Sequence, residues 1–330
     1  MLVSQNNYQV GGYPSMLLEK QINYFNDDIS KKIYHYSAFG IRIDSEILLP
    51  ELSVSAEGVV ADIIIRYGDL ATPLYECGNF KDRAVGNFVL KIEELPAFCL
   101  MNGKQIIVQL FQDSTVMRAN LLGTIMGALL MQRKMLPLHG STVVINGNGI
   151  IFTGESGAGK STIAAALRKQ GYPLMSDDLS AMSCEQNCVF YGQPGYMEQR
   201  LSEDTTEMLG IDTIGLEKVY EFRNKYVVPV LDESKIVPVP IGAIYEIVKA
   251  PCADIVIEKL QGIDKLTTIM NNTYQPLLVE ALNIKDIHLK QCSNLAKQIS
   301  VFRLSRPEGK RSIGQQVEAI LQNENICNNK

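Results

Sequence analysis

The sequence predicts a two-part α/β protein, in which a phosphate-loop domain follows a smaller β-rich domain. Three observations carry this expectation. The string Gly154-Glu155-Ser156-Gly157-Ala158-Gly159-Lys160-Ser161 has the form G-x-x-x-x-G-K-[ST]. From Pro137 to the end, strand-like and helix-like runs alternate, which is an α/β pattern. Before that, short β-like runs broken by turn residues dominate. The expected organisation is a β-rich domain over 1–112, a connecting helix over 113–135 and the phosphate-loop domain over 136–330.

The chain of 330 residues suits about two domains. In the first, the β-like runs are Val59–Tyr67, Phe88–Ile92 and Gln105–Leu110, after a polar, mixed stretch from residue 1 to about 34. Asp113-Ser114 offers N-cap chemistry. From there to about Lys134 the apolar residues Val116, Leu121, Ile125, Leu129 and Leu130 recur at helical spacing. Gly123 and Gly127 fall on one side of that helix and leave room for a close neighbour. Further helices are expected near 160–170, 202–210, 285–299 and 308–322, with frayed residues from Gln322 to Lys330.

Bulk properties exclude some functions. Hydrophobic residues at 46% and charged residues at 20% are the balance of a globular chain. A net charge of −5 gives no global attraction to nucleic acid. The most apolar stretch, Ala119–Met131, is short of the ~20 residues of a membrane span and contains Asn120, Gly123 and Thr124. The first residues lack the layout of a signal peptide, so a cytoplasmic location is expected. Seven cysteines, odd in number and scattered, do not form a disulfide framework. Cys184 and Cys188 are a close pair with no second pair to complete a structural zinc site.

The flanks of the phosphate loop suit its chemistry. Gly149–Thr153 before it reads as a buried strand, and Ser161–Lys169 after it as a helix ended by Gly171 and Pro173. Glycines let the backbone curl so that N–H groups converge on phosphate oxygens, and the helix N-terminus adds partial positive charge. The expected nucleotide-binding residues are Gly154, Glu155, Ser156, Gly157, Ala158, Gly159, Lys160, Ser161 and Thr162. Lys160 reaches the β- and γ-phosphates of ATP, and Ser161 ligates Mg²⁺.

Two further features stand near the loop. The short run Leu174-Met175-Ser176 leads into Asp177-Asp178, where one carboxylate can hold Mg²⁺ and the other can take a proton from an attacking hydroxyl. Asp177 is the expected base and Asp178 the expected metal ligand. Adjacent carboxylates repel, which raises one pKa unless a metal neutralises them. The strand Leu138–Ile145 is followed by the turn signal Asn146-Gly147-Asn148-Gly149 and then by Ile150–Thr153. The two strands are therefore expected to form an antiparallel hairpin that carries His139 to residues near Glu155. His139 is a candidate contact for phosphate, metal or acceptor. An antiparallel partner directly before the loop strand argues against a plain small-molecule kinase or a motor core. Arg200, Arg223 and Lys225 are further candidate phosphate contacts.

Together, Leu136-Pro137-Leu138-His139-Gly140, the hairpin, Thr153–Thr162 and Gly171–Asp178 resemble the C-terminal domain of HPr kinase/phosphorylase. That family shares its kinase fold with phosphoenolpyruvate carboxykinase, so the resemblance implies an HPr kinase / phosphoenolpyruvate carboxykinase-like P-loop domain. Ala38–Ile43, Leu49–Leu52, Pro194-Gly195-Tyr196 and Arg200-Leu201 extend the likeness to HPr-kinase-like enzymes of peptide-tailoring clusters, such as lasso-peptide precursor kinases. This implies Mg·ATP-dependent transfer of the γ-phosphate to a serine hydroxyl of a precursor peptide, with a homo-oligomer as a further implication. Thr162 stands where authentic HPr kinases usually carry Glu, and their later Arg-Gly-Leu-Gly-type signature is not visible. Both departures point away from HPr as acceptor and from the reverse phosphorolysis. The competing readings are an HPr serine kinase/phosphorylase, a small-molecule hydroxyl kinase and a non-catalytic ATP-binding regulator.

Overall fold

Two mixed sheets, joined by one buried helix, organise the molecule. The computed structural model describes residues 32–70, 86–92, 95–109, 114–184, 189–219, 224–230, 237–308 and 312–328. The described residues from Ile33 onward cluster as one unit. The first sheet contains β1 (Tyr34–Ala38), β2 (Ile41–Ser45), β3 (Ser53–Val54), β4 (Ile63–Tyr67), β5 (Asn87–Ile92), β6 (Leu95–Met101) and β7 (Gln105–Val108), in the order β3-β1-β2-β4-β7-β6-β5. Alternation drives it: Ile41, Ile43, Ile63 and Ile65 are buried, while Arg42 and Ile64 on the opposite face are exposed. The run expected from Val59 begins only at Ile63. Val60 is 87% exposed, and the Asp62 carboxylate accepts the Arg42 amide at 2.9 Å, so the chain enters the sheet late. The polar stretch before Lys32 and the Asp113 cap lie outside the described residues.

The connecting helix runs through α1 (Ser114–Asn120), a π-helical turn (Leu121–Ile125) and α2 (Met126–Gln132). By length and composition this 19-residue helix could cross a membrane, but 56% of that window is buried inside the protein. Leu121, Leu122, Ile125, Met126 and Leu129 share one core with the isoleucines of the first sheet and with Leu179, Tyr196 and Tyr274. The close neighbour expected at Gly123 and Gly127 is Tyr274: a Cβ on Gly127 would lie 2.8 Å from its ring.

The second sheet begins with β8 (Leu136–Ile145) and β9 (Asn148–Thr153), the expected hairpin. Asn146 and Gly147 both take positive φ, 51° and 77°, which a two-residue hairpin turn requires. Gly140 pairs with Thr153 and Ser141 with Phe152, so His139 lies beside the start of the phosphate loop. The sheet continues through β10 (Leu174–Ser176), β11 (Leu179–Cys184), β12 (Phe190–Gly192), β15 (Val239–Ala250), β16 (Val256–Lys259) and β17 (Ser300–Pro307), while β13 (Glu198–Ser202) and β14 (Lys225–Pro229) form a separate ribbon. β9 also pairs with β15, in parallel.

Helices cover both faces of this sheet. α3 (Lys160–Lys169), α4 (Glu203–Leu209) and α8 (Ile313–Asn328) pack into the core holding Ile150, Phe152 and Tyr245. α5 (Gly262–Asn271) and α7 (Lys285–Gln298) pack on the other side with Ile151 and Ile244, and α6 (Leu277–Ala281) adds to the core of the connecting helix. The helix expected over 308–322 is displaced to 313–328 and takes in much of the stretch read as a loose tail, of which residues 329–330 lie outside the described residues. Asn323 donates to the Tyr245 hydroxyl at 2.6 Å and that hydroxyl donates to buried Glu324 at 2.5 Å, which anchors the last turns to β15. Cys252 and Cys292 are free thiols, and Cys188 lies outside the described residues.

His288 is 7% exposed on α7, with Nε2 2.8 Å from the Thr273 hydroxyl, and burial holds its pKa below the ordinary histidine value. The folded protein therefore resists taking up a proton that the unfolded chain accepts. Stability should fall as pH drops below ~6.5, by at most about 1.4 kcal/mol per pH unit from this group. Urea titrations between neutral pH and pH 5 should show a shallower fall for His288→Gln than for the native chain.

Candidate active site

Four segments meet around Asp177. It follows β10 and is 5% exposed. Its Oδ1 accepts the Ser141 hydroxyl of β8 at 2.5 Å and the Ser161 hydroxyl of α3 at 3.0 Å. Its Oδ2 accepts the backbone N–H of Arg200 in β13 at 3.0 Å. Burial is the largest influence and raises the Asp177 pKa, while the bonds from Ser141 and Arg200 act against it.

Asp178 points the other way. Its φ of 66° is a left-handed conformation that Asp tolerates better than most residues, and it interrupts the extended chain between β10 and β11, which both run antiparallel to β8. Its side chain stays 43% exposed, with Oδ1 3.5 Å from His139 Nδ1. His139 is fixed through its backbone: its N–H donates to Asn272 and its carbonyl accepts the Thr153 hydroxyl. Burial holds the imidazole below the ordinary histidine value, Asp178 pulls it up, and Lys160 and Lys225 push it down. Lys160 is likewise lowered, first by burial, with Lys225 adding to the effect and Asp178 opposing it. Lys225 on β14 thus stands within electrostatic reach of both.

The loop itself is a cradle of glycines. Gly154, Gly157 and Gly159 have φ of 131°, 76° and 116°, values that disfavour any side chain. A Cβ on Gly154 would lie 2.5 Å from the Ile247 carbonyl, so the loop is seated directly on β15. At Gly157 and Gly159 the nearest atoms to such a Cβ are instead Lys249 Nζ at 3.9 Å and Arg306 Nε at 3.8 Å. Arg306 also donates to the Ala158 carbonyl at 2.9 Å. Lys160 Nζ spans the loop to the carbonyls of Gly154 at 2.9 Å and Glu155 at 3.1 Å. Glu155 and Ser156 are exposed at its rim, and Ala158 is buried beneath it. This concave, cation-flanked backbone fits a polyphosphate. Ser161 and Asp177 place two hard oxygen donors side by side, which fits a Mg²⁺ ion that takes its other ligands from phosphate and water.

Beside the carboxylates opens a small cleft, lined among others by Asp178, Tyr196, Glu198, Arg200 and Tyr274. Arg200 donates through Nε and NH2 to Glu198 Oε1, both at 3.2 Å. The sequence-derived set Lys160, Ser161, Asp177, Asp178 and His139 is therefore brought together, with Arg200 and Lys225 around it. Thr162 turns its hydroxyl to Thr205 of α4 at 2.9 Å, and Arg223 lies outside the described residues. Ser141, Tyr196, Glu198, Lys249, Tyr274 and Arg306 were not foreseen. Of these, Ser141 carried a signal: it lies on the same strand as His139, two positions on and hence on the same face.

The segment that carries the loop, His139 and the paired carboxylates is similar to known proteins. Residues 131–226 match the family model of the HPr serine kinase C-terminal domain. The HPr kinase/phosphorylase of Mycoplasmopsis pulmonis is 37% identical over 84 residues, covering 25% of this chain and 27% of that protein. The HPr kinase/phosphorylase of a Geobacillus species is 26% identical over 171 residues, covering 48% of this chain and 54% of that protein. This chain thus spans only about a quarter to a half of the length of these relatives. A solved structure, the HPr(Ser) kinase/phosphatase from Coxiella burnetii, is 15% identical with a TM-score of 0.32, covering 59% of this chain and 99% of that one. The likeness to the HPr kinase/phosphorylase family is concentrated where the site is built.

Gly154 tests the seating of the loop. Gly154→Ala places a methyl group against the Ile247 carbonyl in a backbone region hostile to alanine, at a cost of about 1–3 kcal/mol. Calorimetric titration with ATP should show weakened binding, and a melting curve should show a lower midpoint. Native-like values of both would mean that the loop is not held by this contact.

Proposed function

We propose that this protein is a Mg²⁺- and ATP-dependent kinase that phosphorylates a serine hydroxyl of a peptide or protein. The observation that carries this reading is the division between adjacent carboxylates, Asp177 turned inward onto Ser161 and Asp178 turned outward into the cleft. The similarity of residues 131–226 to HPr serine kinase domains supports it.

In this reading the loop amides and Lys160 hold the β- and γ-phosphates, and Ser161 with Asp177 would hold Mg²⁺, which neutralises charge on the phosphates. Asp178 takes the proton from the acceptor hydroxyl. The serine oxygen forms a bond to the γ-phosphorus as the bond to the bridging β–γ oxygen breaks, and ADP leaves. His139, neutral near pH 7, orients Asp178 through the Nδ1 contact. These roles reverse the sequence-based order of the two aspartates. A carboxylate with both oxygens already engaged by Ser141, Ser161 and the Arg200 amide is poorly free to accept a proton, whereas Asp178 is open to the acceptor. Lys225 lies where it can offset charge on the transferred group.

As the finer reading we propose a precursor peptide of the lasso-peptide tailoring type as acceptor and the cytoplasm as location. The resemblance over Ala38–Ile43, Leu49–Leu52 and Pro194–Tyr196 supports this. HPr is the second reading, favoured by the names of the relatives that the chain matches.

Three variants separate the roles. Asp178→Asn should lower kcat by about 10²-fold or more with ATP affinity nearly native, the pattern of a lost general base. Asp177→Asn should raise the Mg²⁺ concentration needed for half-maximal rate and also lower the melting temperature. Lys160→Ala should weaken ATP binding itself. Mass spectrometry of a co-encoded peptide, and in parallel of HPr, should show a +80 Da serine adduct on the true acceptor. Full kcat in Asp178→Asn would sink the base assignment, and ATP turnover with no phosphorylated product would favour a regulator.

A further inference from the structure

The cleft beside Asp178 has a wall that the phosphate-loop segment does not supply. Leu122 and Gly123 line it, from the π turn of the connecting helix, and Tyr274 closes the same side. All three lie outside the family match at residues 131–226, whereas Asp177, Asp178, Tyr196, Glu198 and Arg200 lie within it. A π turn inserts one residue into a helix and disturbs the regular hydrogen-bond ladder, and such turns concentrate at functional sites. Here the Leu122 carbonyl accepts the buried Tyr196 hydroxyl at 2.6 Å, which fixes the turn to the segment leading into β13. The two glycines of the helix differ in what they leave room for. At Gly127 a Cβ would strike the Tyr274 ring at 2.8 Å and 3.0 Å, so packing alone demands glycine there. At Gly123 a Cβ would meet only the Tyr274 hydroxyl, at an ordinary contact distance of 3.4 Å. Packing leaves space at Gly123, and that space belongs to the cleft.

We infer that the Leu122–Gly123 π turn, with Tyr274, is the acceptor-selecting wall of the site, admitting a slender aliphatic hydroxyl to Asp178 and excluding a phenol. The inference rests on the kinase reading and adds the residues that select the acceptor side chain. The loop, Asp177 and Asp178 lie in the segment matched by the family model, whereas this wall of the cleft comes from parts of the chain that the match leaves out.

Gly123→Ala tests it, since alanine is the better helix former and its methyl meets a single ordinary contact in the folded protein. The probes are three mixtures of short peptides with a central serine, threonine or tyrosine, assayed with γ-labelled ATP on the full chain. The native protein should prefer serine and reject tyrosine. Gly123→Ala should raise the peptide KM about tenfold, the scale of one extra methyl in a fitted pocket, while the ATP KM moves far less and the melting temperature does not fall. Tyr196→Phe, which frees the Leu122 carbonyl, should move peptide KM in the same direction. A peptide KM that stays native in Gly123→Ala, or one that rises in step with the ATP KM, overturns the assignment while leaving the kinase reading intact. A native protein that phosphorylates none of the mixtures and no candidate protein overturns both.

Discussion

Asp177 takes hydrogen bonds from β8, from the first turn of α3 and from the backbone of β13, and it does so almost out of reach of water. A carboxylate removed from water is costly unless donors replace its hydration, and three donors do so here. Each donor belongs to a different element. The same interaction that stabilises the buried group therefore sets the distance between the hairpin, the phosphate-loop helix and the ribbon that carries Arg200. Removing any one donor leaves the carboxylate under-solvated, so the three elements are coupled through one side chain.

Adjacent residues could not share this role. Two carboxylates turned into the same dry space would each raise the other's pKa. The left-handed backbone at Asp178 lessens that effect by sending its side chain to the open cleft, although its charge still adds to the rise at Asp177. There it faces His139 and Lys160: Lys225 lowers the proton affinity of both, Lys160 lowers that of His139, and Asp178 raises both. Lys249 and Arg306, paired across β15 and β17, stand at the other end of the glycine cradle. The cationic groups are thus distributed along the glycine cradle rather than gathered at one end.

Local signals in the sequence were enough for the loop, its flanking strand and helix, and the hairpin. Gly154, Gly157 and Gly159 are glycines because of positive φ, and Asn146-Gly147 is a turn for the same reason. Such conformations leave a mark on single residues. The displaced last helix shows where that kind of reading ends. Asn323 and Glu324 look like a fraying polar tail until Tyr245, far away in the chain, supplies their partner. Which aspartate is buried was illegible for a related reason. Nothing in two identical neighbouring letters shows which one turns inward, and that depends on Ser141 and on the Arg200 amide, brought in by the fold. Gly123 and Gly127 read as one small-residue stripe, and only Tyr274 tells them apart.

The cleft has a consequence for how relatives of such a chain diverge. A phosphate loop answers to one ligand chemistry, and its backbone admits little variation without losing the curl that aims its amides. An acceptor wall made by a helix from another part of the chain is under no such constraint. A shift of one residue in the π turn would re-aim Leu122 and Gly123 while Asp177, bonded to Ser141, Ser161 and Arg200, stayed where it is. The separation of the buried carboxylate from the helix that faces the acceptor lets acceptor choice change without disturbing the bond that holds the loop, the hairpin and the ribbon together.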